Sequence, residues 1–247
     1  MIPRALEALS PAALARLTGA LLLVMALSAG LAEFGVHQAL VVPGDAAATA
    51  GRIAAAGLRF RLGLVGYLVA FLCDVPVAVL LYLLFRHASA SLALTAAAFR
   101  LVYAAVAGAA LLPFLGPVVL SSGAGYLSAL APAQLQALTL LSVEAFESGF
   151  GLALVFFGVH LVLLGVLILG STALPRVLGV LVAISGISYL AGSLSRVLAP
   201  GLHAAIAPLL AACGCFELVL ALWLLVKGVA VERRPAQEIP SSAAASS

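Results

Sequence analysis

The chain has 247 residues, of which 65% are hydrophobic and only 9% are charged, and its mean hydropathy is +1.26. A soluble domain is about half apolar and about a quarter charged, and surface-to-volume scaling limits the apolar surface that one core buries. The composition therefore excludes a soluble globular protein and a disordered protein, and it predicts that the solvent is lipid. The formal net charge of +3 is too small and diffuse for a nucleic-acid-binding surface, so no nucleic-acid partner is expected.

Six apolar stretches reach the roughly 20 residues that a helix needs to cross a bilayer. They run approximately from Ala13 to Val36, Leu62 to Phe85, Leu92 to Leu115, Ser148 to Gly170, Leu174 to Leu198 and His203 to Val226. We expect an all-α integral membrane protein: a six-helix transmembrane bundle over residues 1–228, followed by a disordered cytoplasmic tail over residues 229–247. The first stretch is longer than the ~7–15 apolar residues of a cleaved signal peptide, so we interpret it as a span.

Two further segments predict one or two interfacial helices on the outer side of the membrane. Asp45 precedes an alanine-rich stretch and is a natural helix N-cap. The other segment, from Pro132 to Phe146, is apolar and runs into the fourth span. One helix from Pro132 to Gly170 would be roughly 58 Å long at 1.5 Å per residue, almost twice the hydrocarbon thickness. The sequence therefore predicts a break near Ser148 to Gly151.

Small residues recur every seven positions in the fourth and fifth spans. The repeats are Gly151, Gly158 and Gly165 in one span and Gly179, Gly186 and Ser193 in the next. Such a seam lets two helix backbones approach closely. We therefore expect the two spans to be antiparallel neighbours.

The distribution of arginine and lysine predicts the orientation, because basic residues concentrate on the cytoplasmic side. A cytoplasmic N-terminus places one set of basic residues inside: Arg4, Arg16, Arg86, Arg176, Lys227, Arg233 and Arg234. The smaller outside set is Arg52, Arg59, Arg61 and Arg196. Both termini are therefore expected in the cytoplasm. The abundance of alanine, leucine and glycine, with arginine in preference to lysine, is typical of GC-rich codon usage and favours a bacterial source. We therefore expect a bacterial inner membrane.

Four ionisable residues lie inside predicted spans at similar depth: Asp74, Arg100, His160 and Glu217. Each costs at least ~2.5–3.5 kcal/mol at the middle of a helix unless it faces the bundle interior and finds a partner. One interpretation is structural: Asp74 pairs with Arg100, and Glu217 pairs with His160, as ion-pair staples. The other is a buried site in which Asp74, Glu217 and His160 perform acid–base chemistry.

Two tyrosines share spans with members of this group. Tyr67 lies seven residues before Asp74 on the same helix face, and Tyr103 follows Arg100. Together with Arg100, both are candidate binding or ion-pair residues. Pro76 cannot donate a backbone hydrogen bond, so it loosens the helix beside Asp74.

At the outer face the candidates are Asp45, Glu144 and Glu147. Glu144 and Glu147 lie three residues apart, on one helix face; we interpret them as headgroup-level side chains, which Glu33 could join and Arg196 could neutralise. No metal site or cofactor is expected: His160 is the only histidine at mid-membrane depth, and the cysteines lack zinc-site spacing.

A set of strings distributed along the chain resembles a known family. They are Val42-Pro43-Gly44-Asp45, Phe60-Arg61-Leu62-Gly63, Cys73-Asp74, Ala98-Phe99-Arg100-Leu101, Ser121-Ser122-Gly123-Ala124-Gly125-Tyr126-Leu127, Gln134-Leu135-Gln136-Ala137-Leu138, Phe156-Phe157-Gly158-Val159-His160 and Leu174-Pro175-Arg176-Val177-Leu178-Gly179. Their order and spacing resemble the bacterial membrane-protein family named domain of unknown function 4386. The resemblance implies a multi-spanning membrane protein of unassigned activity, and it brings no catalytic residues.

Three functions remain open at this point. The first is a membrane enzyme that performs acid–base chemistry on a lipid-like or isoprenoid-like substrate. It requires a cavity open sideways to lipid or to the interfacial helices, and a closed-ended apolar pocket touching two of the buried residues would distinguish it. The second is a proton-linked small-molecule transporter, with a polar path to both faces of the membrane. The third is a structural or accessory protein whose buried charges are staples. The expected partners are the lipid bilayer and a hydrophobic small-molecule ligand; the sequence does not determine the oligomeric state.

Overall fold

The computed structural model describes residues 9–229, and these residues form helices without a β-strand. The helices are α1 (Pro11–Leu40), α2 (Ala46–Ala55), α3 (Gly57–Phe85), α4 (Ala90–Ala110), α5 (Gly116–Leu120), α6 (Pro132–Leu169), α7 (Arg176–Leu198), α8 (Pro200–Gly214) and α9 (Phe216–Val226). Short 3-10 turns, Pro113–Leu115 and Gly125–Ala129, flank α5. Six segments of this part of the chain are long and apolar enough to cross a bilayer, which confirms the predicted all-α membrane bundle.

Side-chain caps define where several helices begin. The hydroxyl of Ser10 accepts a hydrogen bond from the backbone N–H of Ala13 at the start of α1. The carboxylate of Asp45 accepts one from Ala48, 2.8 Å away, at the start of α2. Each cap satisfies an amide that has no partner inside its helix. The predicted N-cap at Asp45 is therefore confirmed.

The spans form a ring in which neighbours in sequence are neighbours in space. Helix α1 contacts α3, α3 contacts α4, α4 contacts α6, α6 contacts α7, and α7 contacts α8. Helix α9 closes the ring by packing on α1. Because successive spans alternate in direction, α1 ends and α3 and α6 begin at the same end of the bundle. We call this end, which carries α2, the α2 end, and the other the Pro11 end.

The predicted glycine seam joins α6 to α7. A Cβ atom on Gly158 would lie 2.8 Å from the carbonyl oxygen of Gly186, and one on Gly186 would lie 2.7 Å from that of Gly158. Gly165 and Gly179 meet in the same reciprocal way, at 2.7 and 2.9 Å. The two backbones are thus too close for any side chain between them, as the heptad spacing predicts.

The predicted break near Ser148 to Gly151 is wrong, because α6 runs without interruption over 38 residues. Val143 and Phe146, in the part assigned to a separate interfacial helix, are 0% and 2% exposed. Helix α2 and the α5 region pack on this part of α6. The length argument assumed that lipid surrounds the whole helix, whereas other helices pack on part of its surface there. Of the two candidate interfacial helices, α2 alone is a separate helix.

Two irregularities were not predicted, and both lie beside polar residues. The last turns of α1 widen into a π-helical segment, Glu33–His37, a geometry found frequently at functional sites. The sixth span, predicted as one helix from His203 to Val226, is divided at Cys215 into α8 and α9. Glu217 consequently lies in the first turn of α9.

Some expectations concern residues outside the described part of the chain. These are the basic residues Arg4, Arg233 and Arg234 and the tail beyond residue 229. The division of the chain at residue 228, the bacterial inner membrane and the cytoplasmic termini stay predictions.

Candidate functional site

Arg100 is the centre of a buried polar cluster at mid-height in the ring. Its Nη2 lies 2.7 Å from Oδ1 of Asp74 on α3. Its Nη1 lies 3.0 Å from Nε2 of His160 on α6 and 3.8 Å from Oε1 of Glu217 on α9. Asp74 and Arg100 are 0% exposed and His160 is 1% exposed. The structure therefore brings together all four ionisable residues that the sequence placed inside the spans.

The contacts of His160 fix its tautomer. Its Nδ1 lies 2.8 Å from the carbonyl oxygen of Ala96. A carbonyl only accepts, so Nδ1 carries the hydrogen. A guanidinium only donates, so Nε2 accepts from Nη1 of Arg100. His160 is accordingly neutral and holds Arg100 in place. The predicted pairing of Glu217 with His160 differs from the structure, in which Arg100 contacts both.

The remaining spans also reach this cluster. The sulfur of Met25 on α1 lies 3.8 Å from Nη2 of Arg100. The guanidinium carbon of Arg100 lies 5.3 Å from the ring centre of Phe157 on α6, a cation–π contact. Tyr189 on α7 contacts the ring of Phe157 at 5.4 Å. All six spans thus contribute a residue at or next to Arg100.

Hydrogen bonding in the cluster is incomplete. Oδ2 of Asp74 and Nε of Arg100 are buried and have no hydrogen-bond partner among the described residues. A buried polar atom without a partner costs about 1–3 kcal/mol, and more when the group is charged. Such an atom in a native protein calls for an explanation, such as a catalytic role or a bound ion or water.

A cavity of about 440 Å³ lies against this cluster. Asp74 and Glu217 line it together with the aromatic side chains of Tyr103, Phe157 and Tyr189. The rest of its wall is mainly aliphatic or aromatic. We call it the central cavity. It is a predominantly apolar space with two carboxyl groups on its wall.

A second polar cluster lies at the α2 end, around the π-helical turn of α1. Nε2 of His37 is 3.0 Å from Oε1 of Glu147 on α6, and Nδ1 is 3.7 Å from Oε1 of Glu33. The hydroxyl of Tyr67 donates to Oε2 of Glu33 at 2.6 Å. These residues and Arg196 line a cavity of about 560 Å³, which we call the outer cavity.

The outer and central cavities adjoin. Five residues line both: Ala29, Phe34, Tyr67, Phe150 and Leu154. On the other side of Arg100, toward the Pro11 end, Leu80, Leu164 and Leu224 are at most 2% exposed and line neither cavity. The space therefore runs from the α2 end to the buried carboxyl groups and does not continue toward the Pro11 end. Between α1 and α8–α9 its lining includes exposed side chains: Phe34, Ala211, Cys215 and Leu218.

Aromatic rings follow this space along its length. Phe114 contacts Phe146 at 4.8 Å, and Phe146 contacts Phe150 at 5.8 Å. Tyr103 contacts Phe150 at 6.5 Å and Phe157 at 4.5 Å, and Phe157 contacts His160 at 5.9 Å. Aromatic rings thus form a continuous part of the wall between the outer cavity and Arg100.

The other predicted site residues are distributed as follows. Tyr67 and Tyr103 line the central cavity, but the hydroxyl of Tyr67 bonds Glu33 and not Asp74. Asp45 caps α2 and lines neither cavity. Glu144 is exposed and likewise lines neither cavity, whereas Glu147 belongs to the outer cluster. The two glutamates therefore do not act as a pair.

Two residues of the site escaped the sequence analysis. His37 was missed, although it follows Glu33 by four residues, a spacing that places both on one helix face. Tyr189 was missed because an isolated tyrosine in an apolar span resembles any other core residue. Among residues 9–229, no group of three or more histidine, cysteine, aspartate or glutamate side chains is arranged to hold a metal ion.

Comparison with known proteins gives a family but no activity. The family model described as "Domain of unknown function (DUF4386)" matches residues 17–228. An uncharacterized protein of Archaeoglobus fulgidus is 30% identical over 165 residues, which cover 67% of this chain and 83% of the relative. No solved structure matches the chain significantly.

Proposed function

The chain belongs to the family of domain of unknown function 4386, and we propose that it is a membrane-embedded enzyme that performs acid–base chemistry on a lipid-like or isoprenoid-like substrate. One observation carries the proposal: an aromatic-walled cavity ends on two carboxyl groups that share a single guanidinium. A cavity that ends at titratable groups inside the membrane is suited to an apolar substrate and to proton transfer.

The charges of the cluster do not balance. Arg100 is permanently protonated and His160 is neutral, whereas Asp74 and Glu217 both carry a carboxyl group. One guanidinium neutralises one carboxylate. Because a net buried charge is costly, the site reaches neutrality by holding one additional proton or one additional cation. It is therefore built to gain and lose a single positive charge.

We infer that Glu217 performs this exchange, and the distances and exposure of the two carboxyl groups support the inference. Asp74 lies closer to the guanidinium, at 2.7 Å, and its side chain is 1% exposed. Glu217 lies at 3.8 Å and its side chain is 19% exposed. Asp74 is therefore the counter-ion that fixes Arg100, and Glu217 is the group that donates a proton to the substrate or accepts one from it. A proton returned to a different carbon would rearrange the substrate without an oxidant or reductant.

Isotope exchange tests this proposal with a mixture of lipids in place of a single chosen substrate. The protein in lipid nanodiscs is incubated in D₂O with the lipid extract of the cells that produce it, and deuterium bound to carbon is measured by mass spectrometry. We expect one lipid species to gain deuterium with the wild-type protein and to gain none with Glu217→Gln. Glu217→Asp, which retains the carboxyl group, should retain part of the exchange.

The matched control is Glu144→Gln, since Glu144 lines neither cavity; it should exchange like the wild type. Thermal melting shows whether each variant is folded. Equal deuterium gain in wild type and Glu217→Gln, or no gain in any lipid, would overturn the proposal.

A proton-linked transporter is the second candidate, because the adjoining cavities resemble one half of a path across the membrane. The packed leucines beyond Arg100 favour the enzyme in this conformation. Proteoliposomes with a pH-sensitive dye inside distinguish the two. Substrate-driven proton flux without carbon-bound deuterium would replace the enzyme with the transporter.

A further inference from the structure

We propose that the substrate is a lipid-like monocation whose positive group lies in the central cavity between Glu217 and Asp74. This inference rests on the proposed function and adds the charge of the substrate to it. It assigns a lipophilic cation, such as an alkylammonium, in preference to a neutral or anionic lipid.

The charges of the site favour a cation over an anion or a neutral lipid. Arg100 balances one of the two carboxylates, so the ionised site has one negative charge in excess. A bound monocation brings the site to neutrality, whereas a bound anion adds to the excess. A neutral lipid leaves the charge unchanged, so the proton must then stay on Glu217.

Asp74 also favours a cation, because one of its carboxylate oxygens lacks a hydrogen-bond partner in the described part of the chain. Asp74 is fully buried and lines the central cavity, and its Oδ2 has no hydrogen-bond partner within the described residues. The carboxylate of this lining residue therefore retains a buried acceptor oxygen beside the cavity. A positively charged group satisfies it, because a carboxylate oxygen attracts a cation and repels an anion.

The aromatic side chains in the cavity wall also favour a cation. Tyr103, Phe157 and Tyr189 line the cavity beside Glu217. Aromatic faces attract cations, above all where water is excluded, and aromatic cages are the usual site for quaternary ammonium groups. Phe157 already makes such a contact with Arg100 at 5.3 Å. The cavity thus combines carboxylates with aromatic faces, the combination that favours an organic cation.

A bound cation and a proton compete for Glu217, so the affinity for the cation should depend on pH. This competition also depends on the other titratable or charged side chains that line the central cavity or contact Arg100. They are Asp74, Arg100 itself, Tyr103, His160, Tyr189 and Cys215, with Tyr67 farther along the wall. Of these, Arg100 and the neutral His160 are fixed in charge by their contacts. Proton and cation therefore compete for Glu217, and a cation binds more tightly as the pH rises.

The test uses decyltrimethylammonium, a permanent cation that has no proton to give. Its binding to the full chain in nanodiscs is compared with that of decanol and decanoate, and proton release is followed with a pH dye in weak buffer. We expect the cation to bind at least about tenfold more tightly than decanol, from charge attraction in a low-dielectric site. Each bound cation should release about one proton, by linkage.

In Glu217→Gln the affinity for decyltrimethylammonium should fall by about tenfold or more, and proton release should disappear. Glu217→Asp keeps the charge and should keep the preference for the cation, and Glu144→Gln should behave as wild type. Equal affinity of wild type for the cation and decanol would overturn the inference, as would unchanged cation affinity in Glu217→Gln. If Glu217→Gln does not fold, the three probes on the wild type decide alone.

The outcome is separable from that of the isotope experiment. Deuterium gain that depends on Glu217, without a preference for the cation, would leave the acid–base function in place and overturn only the charge of the substrate. Cation binding without deuterium gain would overturn the enzyme and leave the binding site.

Discussion

At the scale of single residues, Arg100 determines the chemistry of the bundle interior. Its guanidinium contacts Asp74, His160 and Glu217, of which Asp74 and His160 are buried and Glu217 is partly exposed. Removal of one partner of a buried ion pair is more costly than replacement of both by apolar side chains, because it leaves an unpaired charge. The stability of the protein should therefore depend on Asp74 and Arg100 jointly.

We predict that Arg100→Leu lowers the free energy of unfolding by about 3–5 kcal/mol, the cost of an uncompensated buried charge. The double variant Asp74→Leu/Arg100→Leu should lose less than the sum of the single variants, by about 0.5–3 kcal/mol. Reversible unfolding in mixed micelles measures both quantities. Arg61→Leu, on the exposed side of α3, is the control, and strictly additive losses would contradict a coupled pair.

The same variants address the structural alternative. If the charges are only staples, the wild-type protein should show no exchange that depends on Glu217, and the double variant should regain stability alone. If the cluster is a site, the wild type should exchange deuterium, and the double variant should regain stability but not exchange.

At the scale of secondary-structure elements, the contact of α6 with α7 holds two sides of the site in register. His160 lies on α6 two residues after Gly158, and Tyr189 lies on α7 three residues after Gly186. Because the backbones touch at these glycines, the seam sets the distance between the two walls of the central cavity. A side chain at the seam must push the walls apart.

We predict that Gly158→Ala lowers the free energy of unfolding by about 1–3 kcal/mol, the usual cost of overpacking. The new Cβ would meet a backbone oxygen at 2.8 Å, which cannot move aside as a flexible side chain would. The matched control is Gly108→Ala in α4, where a Cβ has nothing within 4 Å; it should be neutral or stabilising by up to about 1 kcal/mol. Equal effects of the two substitutions in thermal unfolding would exclude a tight seam.

At the scale of the whole molecule, the helices border a space that begins at the α2 end and reaches the carboxyl groups that contact Arg100. Glu33, His37 and Glu147 line the outer cavity, and Asp74 and Glu217 line the central cavity. Ala29 on α1 lies where they adjoin and lines both. A large side chain there would obstruct the junction without contact to the carboxyl groups.

We predict that Ala29→Trp slows the association of decyltrimethylammonium several-fold while the protein melts near the wild-type temperature. Leu27→Trp is the control on the same helix, since Leu27 is 66% exposed and lines neither cavity. Stopped-flow binding in nanodiscs measures the rate. An unchanged rate in Ala29→Trp would mean that the ligand enters between the helices and not through the junction.

The sequence by itself determined the spans, the glycine seam, the N-cap at Asp45 and the four ionisable residues inside the membrane. Each rests on a cost that acts locally: an unpaired charge in lipid, an uncapped amide, or a side chain between two close backbones. These costs arise in any arrangement of the helices, so they are visible along the chain. The family is also visible in the sequence, because the short motifs that resemble it lie in order along the chain.

Only the tertiary structure decided which groups share a partner and where space remains. Glu217 and His160 both contact Arg100 because α9 closes the ring against α1, which no local pattern specifies. Helix α6 continues past Ser148, and α2 and the α5 region pack on part of its surface there, so the length limit of a helix surrounded by lipid does not apply. His37 meets Glu147 from another helix. Packing between distant segments sets these contacts and leaves the cavities, since both depend on side chains that are neighbours only after folding.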